Sequence, residues 1–129
     1  MPSQRPRILV VDDDVAIREI LSTALKPHGY DVVTAADGTE GLILLERMQP
    51  ALVVLDVIMP RRSGYQILDR ILSASHAQPK VILITGTDSQ RVREIQQQGK
   101  IDAFFAKPFD VGEFVDRVLA LIPPPAHEG

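Results

Sequence analysis

The chain has 129 residues, 45% of them hydrophobic and 24% charged, a length and balance that fit one globular domain with a real core. A net charge of -3 gives no bulk attraction to nucleic acid, and the absence of cysteine excludes disulfides and thiolate metal sites. No apolar stretch approaches a membrane span or a signal sequence, so the expectation is a soluble, cytoplasmic protein with no direct nucleic-acid or membrane partner.

Strand and helix patterns alternate along the chain. Ile8-Leu9-Val10-Val11 is a short unbroken apolar run, the mark of a strand buried on both faces, and it ends at Asp12 and Asp13. Ile17, Ile20, Leu21, Ala24 and Leu25 follow at helical spacing, with Asp14 as the cap and Gly29 as the stop. A second strand spans Tyr30 to Ala35, and Asp37 with Glu40 reads as a capping box opening a helix to about Met48. Ala51-Leu52-Val53-Val54-Leu55 is the third strand and ends at Asp56. A Met-Pro-Arg-Arg-Ser-Gly loop and a helix with Ile67, Leu68, Ile71 and Leu72 come next. Val81-Ile82-Leu83-Ile84 ends at Thr85, and a weak helix from about Ser89 to Gln98 offers only Val92 and Ile95 as clear core residues. Ala103-Phe104-Phe105-Ala106 ends at Lys107-Pro108. Asp110 and Glu113 then form a second capping box before a helix with Phe114, Val115, Val118, Leu119 and Ile122. The Pro123-Pro124-Pro125 tail cannot extend that helix and reads as a flexible end or the start of a linker.

Strand followed by helix, five times over, gives an α/β doubly wound three-layer sandwich. Parallel strands share one carboxyl edge, where such sheets bind ligands. Asp12, Asp13 and Asp56 therefore converge with Thr85 and Lys107. Three neighbouring carboxylates resist joint ionisation, a cost that a hard divalent cation such as magnesium relieves. With a mobile ammonium and a neutral hydroxyl beside it, such a cluster can take and hold a phosphoryl group. Asp56, standing singly, is the best nucleophile; Asp12 and Asp13 are paired as metal acids would be. Taken one at a time, each acid is as well explained as a turn or cap residue, Thr85 as a strand-end hydroxyl and Lys107 as a solvated lysine. Their joint placement is what argues for a site. His28, His76 and His127 have no ligand spacing, and Arg61 and Arg62 read as a solvated loop pair.

Arg7-Ile-Leu-Val-Val-Asp-Asp-Asp, Leu55-Asp56-Val-Ile-Met59-Pro60, Ser63-Gly64, Ile84-Thr85-Gly86 and Lys107-Pro108-Phe109 together resemble the receiver domain of two-component response regulators, over about residues 7–122. On that division residues 1–6 are a flexible N-terminus and 123–129 the tail. The resemblance implies a parallel five-stranded sheet of order 2-1-3-4-5, as in flavodoxin-like and chemotaxis-regulator folds. It implies that Asp56 is the phosphoacceptor and that Asp13, Asp56 and the backbone carbonyl of Ile58 bind magnesium directly, with Asp12 acting largely through water. Thr85 would bond a phosphoryl oxygen, Lys107 would pair with the phosphate, and Phe104 would be the aromatic switch. The peptide before Pro108 would be cis.

The same resemblance implies a sensor histidine kinase or phosphotransfer protein as donor, and a downstream protein or fused output domain as receiver of the signal. The signalling face would be the fourth helix, fifth strand and fifth helix, in a monomer or a phosphorylation-dependent dimer. The chain departs from the family in having Phe104 where tyrosine is frequent, and in a longer Gly99-Lys100-Ile101-Asp102-Ala103 turn. Ile58 and Thr87 cannot orient a hydrolytic water as an amide or acid could, so a long-lived phosphoaspartate is expected. The rival reading is a magnesium-dependent phosphohydrolase, which would place a second acid where Ile58 stands; a third is a structural module that no longer accepts phosphate. The expectation is a switch rather than an enzyme acting on an external substrate.

Overall fold

The computed structural model describes residues 5–57, 64–74, 78–86 and 90–124. Strands β1 (Arg7–Val11), β2 (Asp31–Ala35), β3 (Leu52–Asp56), β4 (Lys80–Thr85) and β5 (Ala103–Ala106) alternate with helices α1 (Val15–Leu25), α2 (Gly38–Met48), α3 (Gly64–Leu72), α4 (Gln90–Gln97) and α5 (Val111–Leu121). All neighbouring strands are parallel, in the order β2-β1-β3-β4-β5. The fold is the doubly wound sandwich that the alternation and the resemblance imply. The N-terminal residues 1–4, Ile58, Arg61, Arg62, Ser63, His76, Thr87 and the tail beyond Pro124 lie outside the described residues.

The apolar runs are explained by two cores, one on each face of the sheet. Leu9, Val11, Val53, Leu55, Val81 and Leu83 point to one side and pack with Met48, Ile67, Leu68, Ile71, Val92 and Ile101. Ile8, Val10, Leu52, Val54, Ile82 and Ile84 point to the other and pack with Leu21, Leu25, Phe114 and Val118. Successive residues of a strand face opposite sides, so a strand covered on both faces must be apolar throughout. Every residue of β3 is buried, whereas the edge strands β2 and β5 are only partly so.

Local signals set the helix ends. Asp14 Oδ1 accepts a bond from the Ala16 N–H at 2.9 Å, so the Asp14 side chain is the cap of α1. A short 3-10 turn, Lys26–His28, extends α1 until Gly29 closes it at φ 96°. Asp37 Oδ1 accepts from the Glu40 N–H at 2.9 Å, as a capping box requires. The return bond differs from the expected one, because Glu40 Oε1 accepts from Ala36 N–H, the residue before the cap. Asp110 caps α5 through the Glu113 N–H at 2.9 Å. Helix α4 is the least anchored, with Val92 buried and Ile95 partly so. In the long turn after it, Ile101 enters the core and Asp102 Oδ2 accepts the Val81 N–H at 2.8 Å, a side chain continuing the strand ladder.

Candidate functional site

The register brings the strand ends level. Val11 pairs with Leu55, Asp56 with Ile84, and Thr85 with Ala106, so Asp12, Asp56, Thr85 and Lys107 fall on one carboxyl edge. Backbone bonds hold each end in place: Asp12 N–H to Ala35 O at 3.1 Å, Val57 N–H to Ile84 O at 3.0 Å, and Lys107 N–H to Thr85 O at 2.7 Å. One carboxylate oxygen from each of Asp12, Asp13 and Asp56 lies within 4.8 Å of the others. Asp12 and Asp56 are buried, at 0% and 4% exposure, while Asp13 is open to solvent. Thr85 is buried beside them at 1%.

Lys107 joins the cluster from the far strand. Its Nζ lies 3.0 Å from Asp12 Oδ2 and 3.1 Å from Asp56 Oδ2. The second contact is a hydrogen bond. The first is an ionic approach only, since Asp12 Oδ2 is buried without an aligned donor. Burial, reinforced by the charge of Asp56, raises the Asp12 carboxyl above the ordinary aspartate value despite the Asp14 N–H and Lys107. Burial alone would lower the Lys107 ammonium, but the close contacts and negative charges of Asp12 and Asp56 outweigh it and hold it above the ordinary lysine value. The ammonium thus gains from two anions, while Asp12 loses water and faces a like charge. The Lys107–Pro108 peptide is cis.

The response regulator receiver domain model matches residues 8–119. The chain belongs to that family. Among curated relatives, it is 40% identical over 116 residues to the response regulator MprA of a Mycobacterium species, covering 90% of this chain and 50% of that protein. It is 37% identical over 122 residues to a probable transcriptional regulator, ycf27, of Cyanophora paradoxa, covering 95% of this chain and 50% of the relative. The chain therefore spans about half the length of the curated relatives it matches. Among solved structures, the signal receiver domain of a putative Luxo repressor protein from Vibrio parahaemolyticus superposes with a TM-score of 0.83 at 26% identity, covering 91% of this chain and 89% of that one. A CheY-like receiver from Methanospirillum hungatei gives a TM-score of 0.80 at 28% identity, covering 91% and 93%.

The receiver's acidic pocket fits a magnesium ion. Three carboxylates supply hard oxygen donors, and Asp12 Oδ2 is a buried anionic oxygen lacking a hydrogen-bond donor among the described residues. Phe104, opposite Leu83 in the ladder, lies half-buried on the α3–α4 side with Tyr65 and Ile95. Its neighbour Phe105 points to the other face, its ring centroid 5.7 Å from that of Phe109 and 5.3 Å from that of Phe114. Ile58 and Thr87 lie outside the described residues. A cavity of about 680 Å³, between Leu45, Arg70 and Pro79, opens at the other end of the sheet and is unrelated to the acids. No described helix is long and apolar enough to cross a membrane.

Sequence reasoning gave no role to two residues at this edge. Gly64 lies so close to the Asp56 carbonyl that a side chain there would collide with it. Arg18, in the first turn of α1, donates from Nη1 to the Asp12 carbonyl at 2.7 Å. A signal for Arg18 was present: a cation at the positive end of a helix runs against the helix dipole.

Proposed function

We propose that this receiver accepts a phosphoryl group on Asp56 and signals through altered partner binding. The single observation behind the reading is the joint approach of three carboxylates and Lys107 Nζ, which lies 3.0 and 3.1 Å from two of them. Asp56 Oδ attacks phosphorus of a phosphohistidine on a sensor kinase or phosphotransfer protein; the P–O bond forms as the P–N bond breaks, and the imidazole leaves with the electron pair. Asp12, Asp13 and Asp56, with the Ile58 carbonyl, would hold magnesium, which when bound would supply positive charge to the phosphoryl oxygens. Lys107 moves its ammonium from the Asp56 carboxylate to the new phosphoryl group, and the Thr85 hydroxyl donates to a phosphoryl oxygen. Phe104 then follows Thr85 inward, and the change reaches the face formed by α4, β5 and α5.

The same reading assigns residues 7–122 to the receiver, with short segments at either end, in a cytoplasmic regulator that is monomeric or dimerises on phosphorylation. Its output is a downstream protein or a fused domain. Turnover is limited to its own phosphorylation and dephosphorylation. Incubation with magnesium and acetyl phosphate should add one phosphate, detected by intact mass, that is absent in Asp56→Asn. Absence of modification in the wild type would overturn the reading, as would a phosphate retained in Asp56→Asn.

A further inference from the structure

We infer that Arg18 is a positioning residue for the acidic pocket, holding the Asp12–Asp13 peptide so that both acids face a bound magnesium ion. The inference rests on the reading above that this pocket takes the metal.

Arg18 is the fourth residue of α1, in the turn where backbone N–H groups concentrate positive charge. A guanidinium is disfavoured there, yet the side chain turns back, half-buried, to donate to the Asp12 carbonyl at 2.7 Å. A charge-assisted bond of that length outweighs the adverse dipole. Asp12 is then tied at three atoms: its N–H to Ala35 O at 3.1 Å, its Oδ1 to Asp14 N–H at 2.9 Å, and its carbonyl to Arg18. Only Oδ2 is left without an aligned hydrogen bond.

Asp13 has no such ties. Its side chain is exposed and makes no hydrogen bond or ion pair among the described residues, so the backbone it shares with Asp12 is its main constraint. The Asp12 carbonyl belongs to the very peptide that joins the two acids. Holding it sets the peptide plane from which the Asp13 backbone departs, and so constrains where that carboxylate can lie. Bonds of this kind to the neighbours of metal ligands set affinity as well as geometry.

Charge and position make opposite forecasts. If Arg18 acted only as a cation beside the acids, removing it would tighten magnesium binding. If it positions the peptide, removal weakens binding despite the lost repulsion. Magnesium titration of the full chain, followed by amide shifts of Asp12 and Asp13, separates these outcomes. Arg18→Gln should weaken binding about tenfold, the low end for outer partners of a metal site, with Arg18→Lys in between. Unchanged or tighter binding in Arg18→Gln, with the wild type binding normally, would overturn the inference alone. Should Arg18→Gln fail to fold, wild-type affinity in Arg18→Lys would overturn it equally. A wild type that does not bind magnesium would instead remove the reading beneath it. A lower urea midpoint with unchanged affinity would make Arg18 merely structural, and so also count against it.

Discussion

The first residue of α3, Gly64, lies against the backbone of Asp56: a Cβ there would strike the Asp56 carbonyl oxygen and come within 2.9 Å of its carbonyl carbon. The next atom in the way, Val57 Cα at 3.0 Å, is also backbone, so nothing flexible can yield. Helix α3 is thereby seated on the peptide of the proposed phosphoacceptor. Tyr65, one residue on, has the guanidinium of Arg91 from α4 stacked 3.7 Å from its ring centroid.

Gly64→Ala should therefore destabilise the domain by about 3 kcal/mol, the upper range for forcing one carbon into a packed site. Because the strain falls on Asp56 itself, acetyl phosphate labelling should slow as well. Urea unfolding gives the first quantity and the rate of mass increase the second. A loss below about 1 kcal/mol, the size of an ordinary substitution, would show that α3 can shift freely away from Asp56.

Lys107 forms ion pairs with both buried acids, and its own side chain is 22% exposed. Lys107→Met should cost about 3 kcal/mol near neutral pH, as expected when one member of a buried ion pair is removed. Adding Asp12→Asn should restore part of it. The sign follows from the raised Asp12 carboxyl: its contribution to stability is complete below the ordinary value of 3.8 and is lost as pH rises through the raised folded value. The gain from Asp12→Asn should therefore be absent in acid and develop as pH climbs through that window. Urea midpoints across the acid range test it, and a gain independent of pH would contradict the assignment.

Tyr30 supplies a second pH signature, remote from the acids. Its hydroxyl is buried and donates to the Ile122 carbonyl at 2.6 Å, tying the start of β2 to the end of α5. Burial raises the phenol above its ordinary 10.0. A raised group contributes stability that is complete below the unfolded value and lost as pH rises through the folded one. The wild type should lose stability in that alkaline window, and Tyr30→Phe should lose less there, after an initial cost of about 1 kcal/mol for the missing bond. Equal alkaline slopes for the two proteins would argue that the phenol titrates as it does in the unfolded chain.

Much of the site was legible because the sheet is parallel and doubly covered. A strand buried on both faces must be apolar until it reaches water, so Asp12, Asp56, Thr85 and Lys107 each announce an edge by ending such a run. The caps at Asp14, Asp37 and Asp110 were legible for an equally local reason: a short carboxylate can reach a free N–H two or three residues on. The strand order came from family resemblance, since periodicity fixes which residues are buried and says nothing about which strand lies beside which.

Arg18 and Gly64 belong to the other category. Each acts on a backbone atom of a residue it does not adjoin, six and eight positions away, and no pattern of hydrophobicity records a contact with a carbonyl. The division of the strands into two separate cores has the same character, because it depends on which helix crosses which face. By itself the amino-acid sequence determined the elements, their ends and the chemistry collected at one edge, all of which follow from local bonding and burial. Only the tertiary structure decided how those groups are aimed, because direction is set by backbone contacts between elements that the sequence keeps apart.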